Sequence, residues 1–385
     1  MSTVTGERET YFFLSYAHSV PLSEKARPDT DYWVKRFFQD LSAAVAAHPQ
    51  RNEELATGFF DGSLPAGADL RPLLTAALGA AHVFVPLYSK NYFGNSWATG
   101  ELDAFRARLA DARAPDAEQH IVPVLWSPLD SWDDRAREVA AALAVVEEDA
   151  PERADYEQNG LRALCALGPY RTQYGRIVRA VAERVVGVTR DHQLPRSEAP
   201  PVITPRATDP RDARLIVAVL TGDKGAGWRP FPTEHELALA DYVAAVADRL
   251  SMPAAVLDLA GVAEWSPVKP TVLLVDPSFG AQAARAAVEA LPRWVVPLVV
   301  VGEDQRGAAD AETVATTLQD AGLPKVLPAR TATEFERTVP ILVTEADKQF
   351  LRHGPVNPPA GPVTPRPSLR PGTASDDGQG QGDAR

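Results

Sequence analysis

The chain of 385 residues has one cysteine, Cys165. A lone thiol excludes a disulfide framework and any zinc site built on cysteines. Set in "LRALCAL", with apolar residues at helical spacing, it reads as packing. Long apolar runs are also missing. "VFVPLY" and "WVVPLVVV" fall far short of the roughly 20 residues that a membrane-spanning helix needs. The opening "MSTVTGERET" is polar and charged, unlike a secretory signal. No run of Lys and Arg stands out, and 39 basic against 51 acidic residues leave a net charge of −12. That balance argues against nucleic acid or an anionic membrane as partner. "EHEL" at 234–237 lacks a second His one turn later, so it is no zinc-protease motif. "TGDKGAG" at 221–227 lacks both the Lys-Ser/Thr of a P-loop and the spacing of GxGxxG. What these absences leave is a cytoplasmic protein with no expected metal.

Proline, by contrast, is plentiful, with 34 residues. "TRDHQLPRSEAPPVITPRATDPRD", residues 189–212, has no apolar period and reads as an inter-domain linker. From 353 to 385 the chain is too poor in apolar residues to offset the entropy of ordering, so a disordered Pro-rich tail is expected. Two folded blocks remain, 8–188 and 213–352. In the first, "TYFFLSYA" is a continuous apolar strand of the kind buried in a parallel sheet. Val34, Phe37, Phe38, Leu41 and Val45 predict a helix over 31–48. "GFFDG" gives a strand and turn, and a helix starts near Leu70. "AHVFVPLYS", a helix over 96–109, the strand "HIVPVLWS" and a helix over 160–186 follow. The second block repeats the rhythm: strands "RLIVAVL", "AAVLDLA", "TVLLVDP" and "WVVPLVVVG", with helices over 233–250, 279–291, 307–321 and 332–351. Alternating strands and helices predict an α/β class with open parallel sheets.

The first block resembles the TIR domain. "FFLSYAH" is like the family's first strand ending in a Ser-Tyr pair, and "WVKRFFQDL" is like its first helix. "FFDGSLPAGADL" resembles its second strand and BB loop, with Pro65 and Gly67 as the Pro-x-Gly. "AHVFVPLYSKNYFGNSWATGEL" resembles the segment carrying Ser-x-x-Tyr, Ser-x-Trp and Glu-Leu. Across the whole chain, this domain, the linker, a second α/β block with "GWRPF" and "LLVDP", and the Pro-rich tail resemble the actinobacterial TIR-like FxsC family, associated with FxSxx-COOH peptide modification. The loop at 19–30 is longer than the family's short version, and Ala98 stands where a Cys often follows the Trp.

The resemblance implies a flavodoxin-like TIR fold for the first block, and two functions from different classes. One is an NAD+ nucleosidase in which Glu101 is the catalytic acid residue. The sugar cation that develops on nicotinamide loss is stabilised by a carboxylate at the ribose. Ser15, Tyr16, Phe60, Asp61 and Trp97 would then surround NAD+, which is a substrate here and not a resident cofactor. The other is a non-catalytic signalling adaptor that self-associates or recruits proteins through the loop at 60–67 and adjacent helices. Each residue also has a plainer reading. An acid in the first turns of a helix is favoured by the helix dipole, and a Trp is more often core than ligand plate. Strand-end Ser15 and Tyr16 would then be satisfied locally, and Asp61 with Gly62 would shape a turn. His18 faces either a ligand or, as loop histidines more often do, solvent.

Overall fold

The computed structural model describes residues 8–18, 31–64, 68–114, 116–129, 135–197, 213–222, 224–259, 267–289, 291–303, 308–324, 326 and 328–355. The Pro-x-Gly at 65–67, the loop at 19–30, most of the linker and the tail beyond 355 lie outside the described residues.

Each block builds one four-stranded, fully parallel sheet, and both sheets lie in one compact unit running to Gly354. The N-terminal lobe contains β1 (Thr10–Ser15), α1 (Tyr32–Ala46), β2 (Ala56–Phe60), α2 (Leu70–Ala80), β3 (Ala81–Tyr88), α3 (Lys90–Gly94), α4 (Ser96–Asp111), β4 (Val124–Leu125), α5 (Ala136–Leu143), α6 (Arg153–Ala166) and α7 (Arg171–Asp191). The C-terminal lobe contains β5 (Leu215–Leu220), α8 (Leu239–Arg249), β6 (Ala254–Asp258), β7 (Thr271–Val275), α9 (Ala281–Val288), β8 (Val295–Val299), α10 (Ala311–Asp320) and α11 (Ala332–His353).

The first sheet runs β2-β1-β3-β4 and the second β6-β5-β7-β8. In both, the chain leaves the first strand to one side and returns to the other, so a crevice opens at the carboxyl ends of the first and third strands. Open α/β sheets bind ligands at such a reversal. Continuous apolar runs make these strands because both faces are covered: every residue of β1, β3, β5, β7 and β8 is buried. In the C-terminal lobe α8 and α11 cover one face of the sheet, and α9 and α10 the other. Phe12, Phe13, Phe59 and Phe84 lie in the core of the N-terminal lobe, where Phe13 stacks on Phe59 and Phe84.

Several boundaries differ from the sequence expectation for identifiable reasons. The expected strand "HIVPVLWS" shrinks to two residues plus a bridge from Ile121 to Phe84, because Pro86 of β3 has no N–H to give the Val122 carbonyl. The single helix expected over 160–186 is two helices separated at Gly168 and Pro169. The helix expected from 233 begins at Leu239. Backbone bonds from His235 to Phe231 and from Leu239 to Trp228 fold the preceding residues into turns. α7 extends to Asp191, inside the expected linker. The residues after it stay on the N-terminal lobe through buried Arg108, which donates to the Pro195 carbonyl and to Ser197. Among the described residues no helix is long and apolar enough to cross a membrane.

Gly160 breaks α6 at φ 71°, a left-handed conformation that glycine alone adopts freely. A Cβ there would lie 2.7 Å from the Ser127 Cα and 2.8 Å from the Trp126 carbonyl oxygen, the same carbonyl that accepts from the Arg162 N–H. Gly160→Ala is expected to lower stability by about 2 kcal/mol or more, through strain and collision together. An unchanged urea midpoint would contradict this.

Candidate functional site

The crevice of the first sheet is where the sequence candidates meet. β1 delivers Ser15 as its last residue, β2 delivers Phe60 and then Asp61 in a tight turn, and α4, which follows β3, carries Glu101 in its second turn. α4 starts where it does because Asn95 caps it, with its Oδ1 accepting from the backbone N–H groups of Trp97 and Ala98.

Glu101 is only 2% exposed. Its Oε2 accepts a 2.6 Å hydrogen bond from Ser15 Oγ, which in turn lies 3.1 Å from the Tyr92 hydroxyl. No Lys, Arg or His contacts this carboxyl among the described residues. Burial raises its pKa, and repulsion from Asp61 raises it further, to about 8, so Glu101 is mostly protonated at neutral pH. Tyr92 is likewise pushed up by burial.

A few ångströms outward the site is densely charged. His18, expected in the sequence to be solvated unless a ligand claims it, is instead largely buried. Its Nδ1 is 2.9 Å from Asp31 Oδ2 and its Nε2 is 2.9 Å from Asp61 Oδ2. Asp31 also accepts from the Tyr16 hydroxyl. The remaining cation comes from the other lobe. Arg249, the last residue of α8, donates from Nη2 to Asp61 Oδ2 at 2.7 Å and from Nε to His18 Nε2 at 3.1 Å. Burial alone would raise the pKa of Asp61, but the charges of His18 and Arg249 and their hydrogen bonds outweigh it and hold the carboxyl well below the usual range. For His18, burial and Arg249 act downward, while Asp61 and Asp31 prevail and the net shift is upward. His18 Nε2 cannot serve both neighbours at once. As donor to Asp61 it confronts the Arg249 N–H groups, and as acceptor from Arg249 it confronts a carboxylate. Asp61 Oδ1 is buried with no hydrogen-bond partner among the described residues.

Of the residues singled out in the sequence, Ser15 and Glu101 are in direct contact, Tyr16 and Phe60 line the adjoining cavity, and Asp61 holds His18 and Arg249 at it. Ser15 is not satisfied locally, since its partner lies 86 positions along the chain. Asp61 and Gly62 do shape a turn, and Asp61 anchors Arg249 as well. Trp97 departs from the expected ligand plate. Its indole is 1% exposed within the core and so presents no free face to a ligand. The phenyl and phenol rings at the cavity are those of Tyr16, Phe60 and Tyr242, with Tyr16 and Phe60 5.5 Å apart. Tyr92, Asp31 and Arg249 went unnoticed as site residues. Tyr92 had a signal in the Ser-x-x-Tyr of "SKNY", but nothing local marks Arg249.

A cavity of about 270 Å³ lies over the cluster, lined by Tyr16, His18, Asp31, Lys35 and Phe60 from one lobe and by Tyr242, Val246 and Arg249 from the other. Glu101 is not among its lining residues. The corresponding crevice of the second sheet holds a larger space of about 620 Å³, where Lys224 of the "TGDKGAG" turn pairs with Asp276 at 2.7 Å beside Trp228. Cys165 lies half-buried on α6, away from both crevices.

No protein-family model matches the chain, and no curated protein is similar to it. What the molecule itself establishes is a protein of the α/β class whose first crevice holds a buried carboxyl beneath a charged cover.

Because the folded-state pKa of Glu101 exceeds its ordinary value of 4.5, unfolding releases a proton between about pH 4.5 and 8, and stability falls as pH rises through that window. Glu101→Gln removes this penalty while keeping an acceptor for Ser15. The variant is expected to be more stable than wild type by about 3 kcal/mol at pH 7, with the difference vanishing towards pH 4.5. Urea denaturation at several pH values checks this, and a pH-independent difference would contradict it.

Proposed function

We propose that the chain is a TIR-type signalling or effector protein whose flavodoxin-like N-terminal lobe cleaves NAD+ into nicotinamide and ADP-ribose, with Glu101 as the catalytic residue. The observation that carries this reading is the state of Glu101. A carboxyl held out of water on one hydroxyl, with no cation touching it, costs folding energy and returns none. Perturbed acids in a crevice cluster at functional sites. The order β2-β1-β3-β4, with Ser15, Asp61 and Glu101 at the ends of consecutive strand–helix units, fits the TIR arrangement.

The chemistry follows from charge development. As the nicotinamide–ribose bond breaks, the pair of electrons leaves with nicotinamide and positive charge spreads over the ribose C1′ and ring oxygen. Glu101, ionised once water or substrate reaches it, stabilises that charge and holds the ribose hydroxyls. Tyr16 and Phe60 supply apolar faces for the departing ring. Water then adds to C1′ and gives up a proton. NAD+ is consumed as a substrate, and the reaction fits a cytoplasmic setting.

A second reading has its own observation. The cavity over the cluster, at about 270 Å³, is smaller than the roughly 300–1,000 Å³ of ordinary ligand pockets. A site this small suits a non-catalytic TIR adaptor or scaffold that self-associates or binds proteins, as in an actinobacterial FxSxx-COOH peptide-maturation system of the FxsC type.

The two readings part in one assay. Purified full-length protein, concentrated enough to associate and tested with and without candidate peptide partners, is expected to release nicotinamide from NAD+. Glu101→Ala should lower the rate by about 100-fold or more. Equal background rates for a folded mutant and the wild type would leave the adaptor.

A further inference from the structure

α8 has two working faces. Leu239, Val243, Ala244 and Ala247 pack into the core of the C-terminal lobe. Tyr242, Val246 and Arg249, at positions i, i+4 and i+7, form the opposite stripe and line the cavity over the N-terminal crevice. The end of this helix is tied down by four elements of the other lobe. Arg249 reaches Asp61 at the end of β2 and His18 beyond β1. The Arg249 carbonyl accepts a 2.8 Å bond from the Nδ2 of Asn95, the cap of the helix that carries Glu101. Asp248 lies 3.6 Å from Arg71 on α2.

We propose that the C-terminal lobe is an intramolecular inhibitor of the Glu101 site, with the end of α8 seated in the crevice mouth and Arg249 occupying the position at Asp61 and His18 that a ribosyl ligand must enter. The inference rests on the reading of Glu101 as the functional acid. The surface that the N-terminal lobe offers is a carboxylate pair, Asp31 and Asp61, around an imidazole, and the partner that fits it is a helix ending in arginine. A guanidinium buried between lobes contributes little to net stability once desolvation is counted, and its attested use is to fix one arrangement out of several. Here that arrangement does two things at once. It closes the route to Glu101, and it keeps water away so that the carboxyl stays protonated. Lifting α8 reverses both: ligand gains entry, and the acid ionises where it is needed. Activation by any partner of the C-terminal lobe then requires only that Arg249 leave Asp61.

The test reads access without requiring catalysis. Ser15→Cys places a thiol at the buried end of β1 by a one-atom change, and the native Cys165 on α6 reports on general loosening. In the full-length chain, N-ethylmaleimide modification of the two thiols is followed by peptide mass spectrometry. With Arg249→Ala added, position 15 is expected to react at least tenfold faster, while Cys165 keeps its rate. Equal rates at position 15, or equal acceleration at both thiols, would overturn the proposal. Should Arg249→Ala fail to fold, Arg249→Lys retains the charge but not the fork that spans Asp61 and His18, and it must also accelerate labelling of position 15. In the chain with Ser15 intact, Arg249→Ala is expected to raise nicotinamide release from NAD+ at least tenfold. Faster labelling with no nicotinamide release supports the inhibitory lobe and removes the NAD+ reading. Brisk release from wild type with unchanged labelling does the opposite.

Discussion

A single carboxyl kept from water organises the functional end of this molecule. Glu101 touches the hydroxyl of Ser15 and no cation, although a guanidinium and an imidazole lie close by. Those two groups are committed to Asp61, whose own negative charge helps keep Glu101 neutral. The inner carboxyl is held neutral first by burial and then by the negative charge of the outer one, and the outer one is held ionised by His18 together with Arg249 from the other lobe. Removing any one of these groups changes the state of the others. That coupling is what separates the cluster from an ordinary set of buried polar residues.

The two lobes share one strand order yet treat their crevices differently. In the C-terminal lobe the pair at the strand ends, Lys224 and Asp276, comes from neighbouring strand–helix units and leaves an open space of about 620 Å³. In the N-terminal lobe the equivalent space is capped by a foreign helix end and is less than half as large. Common topology thus supplies the crevice, and side chains decide how much space it leaves.

Much of this was legible in the sequence, and the boundary between legible and hidden is physical. Short-range periodicity found α1 through Val34, Phe37, Leu41 and Val45, all of which are buried. Continuous apolar runs found the strands among the described residues, although β4 is cut short where Pro86 of β3 has no N–H to pair with it. Motif order placed Ser15 and Glu101 in the same site, and they are hydrogen-bonded. Trp97 lies in the core, the plainer of its two readings, since spacing four residues from Glu101 sets a flank of the helix without saying how deep that flank is sunk. Arg249 was invisible for a different reason. It ends an unremarkable amphipathic helix, and its partner Asp61 is 188 positions away. No local pattern encodes a contact between two lobes.

The ionisation of Glu101 in the resting protein is the quantity on which the mechanism and its control both turn. Carbon-13 labelling of the glutamate carboxyl groups, with the Glu101 resonance assigned by comparison with Glu101→Gln, lets its titration be followed by NMR in the intact chain. A midpoint near pH 8 that falls when Arg249 is replaced by alanine, because the water admitted outweighs the loss of the guanidinium's own lowering effect, is the result expected of a carboxyl sealed by the second lobe. A midpoint near the ordinary 4.5, unmoved by that replacement, would mean that water already reaches Glu101 and that the lobes do not guard it.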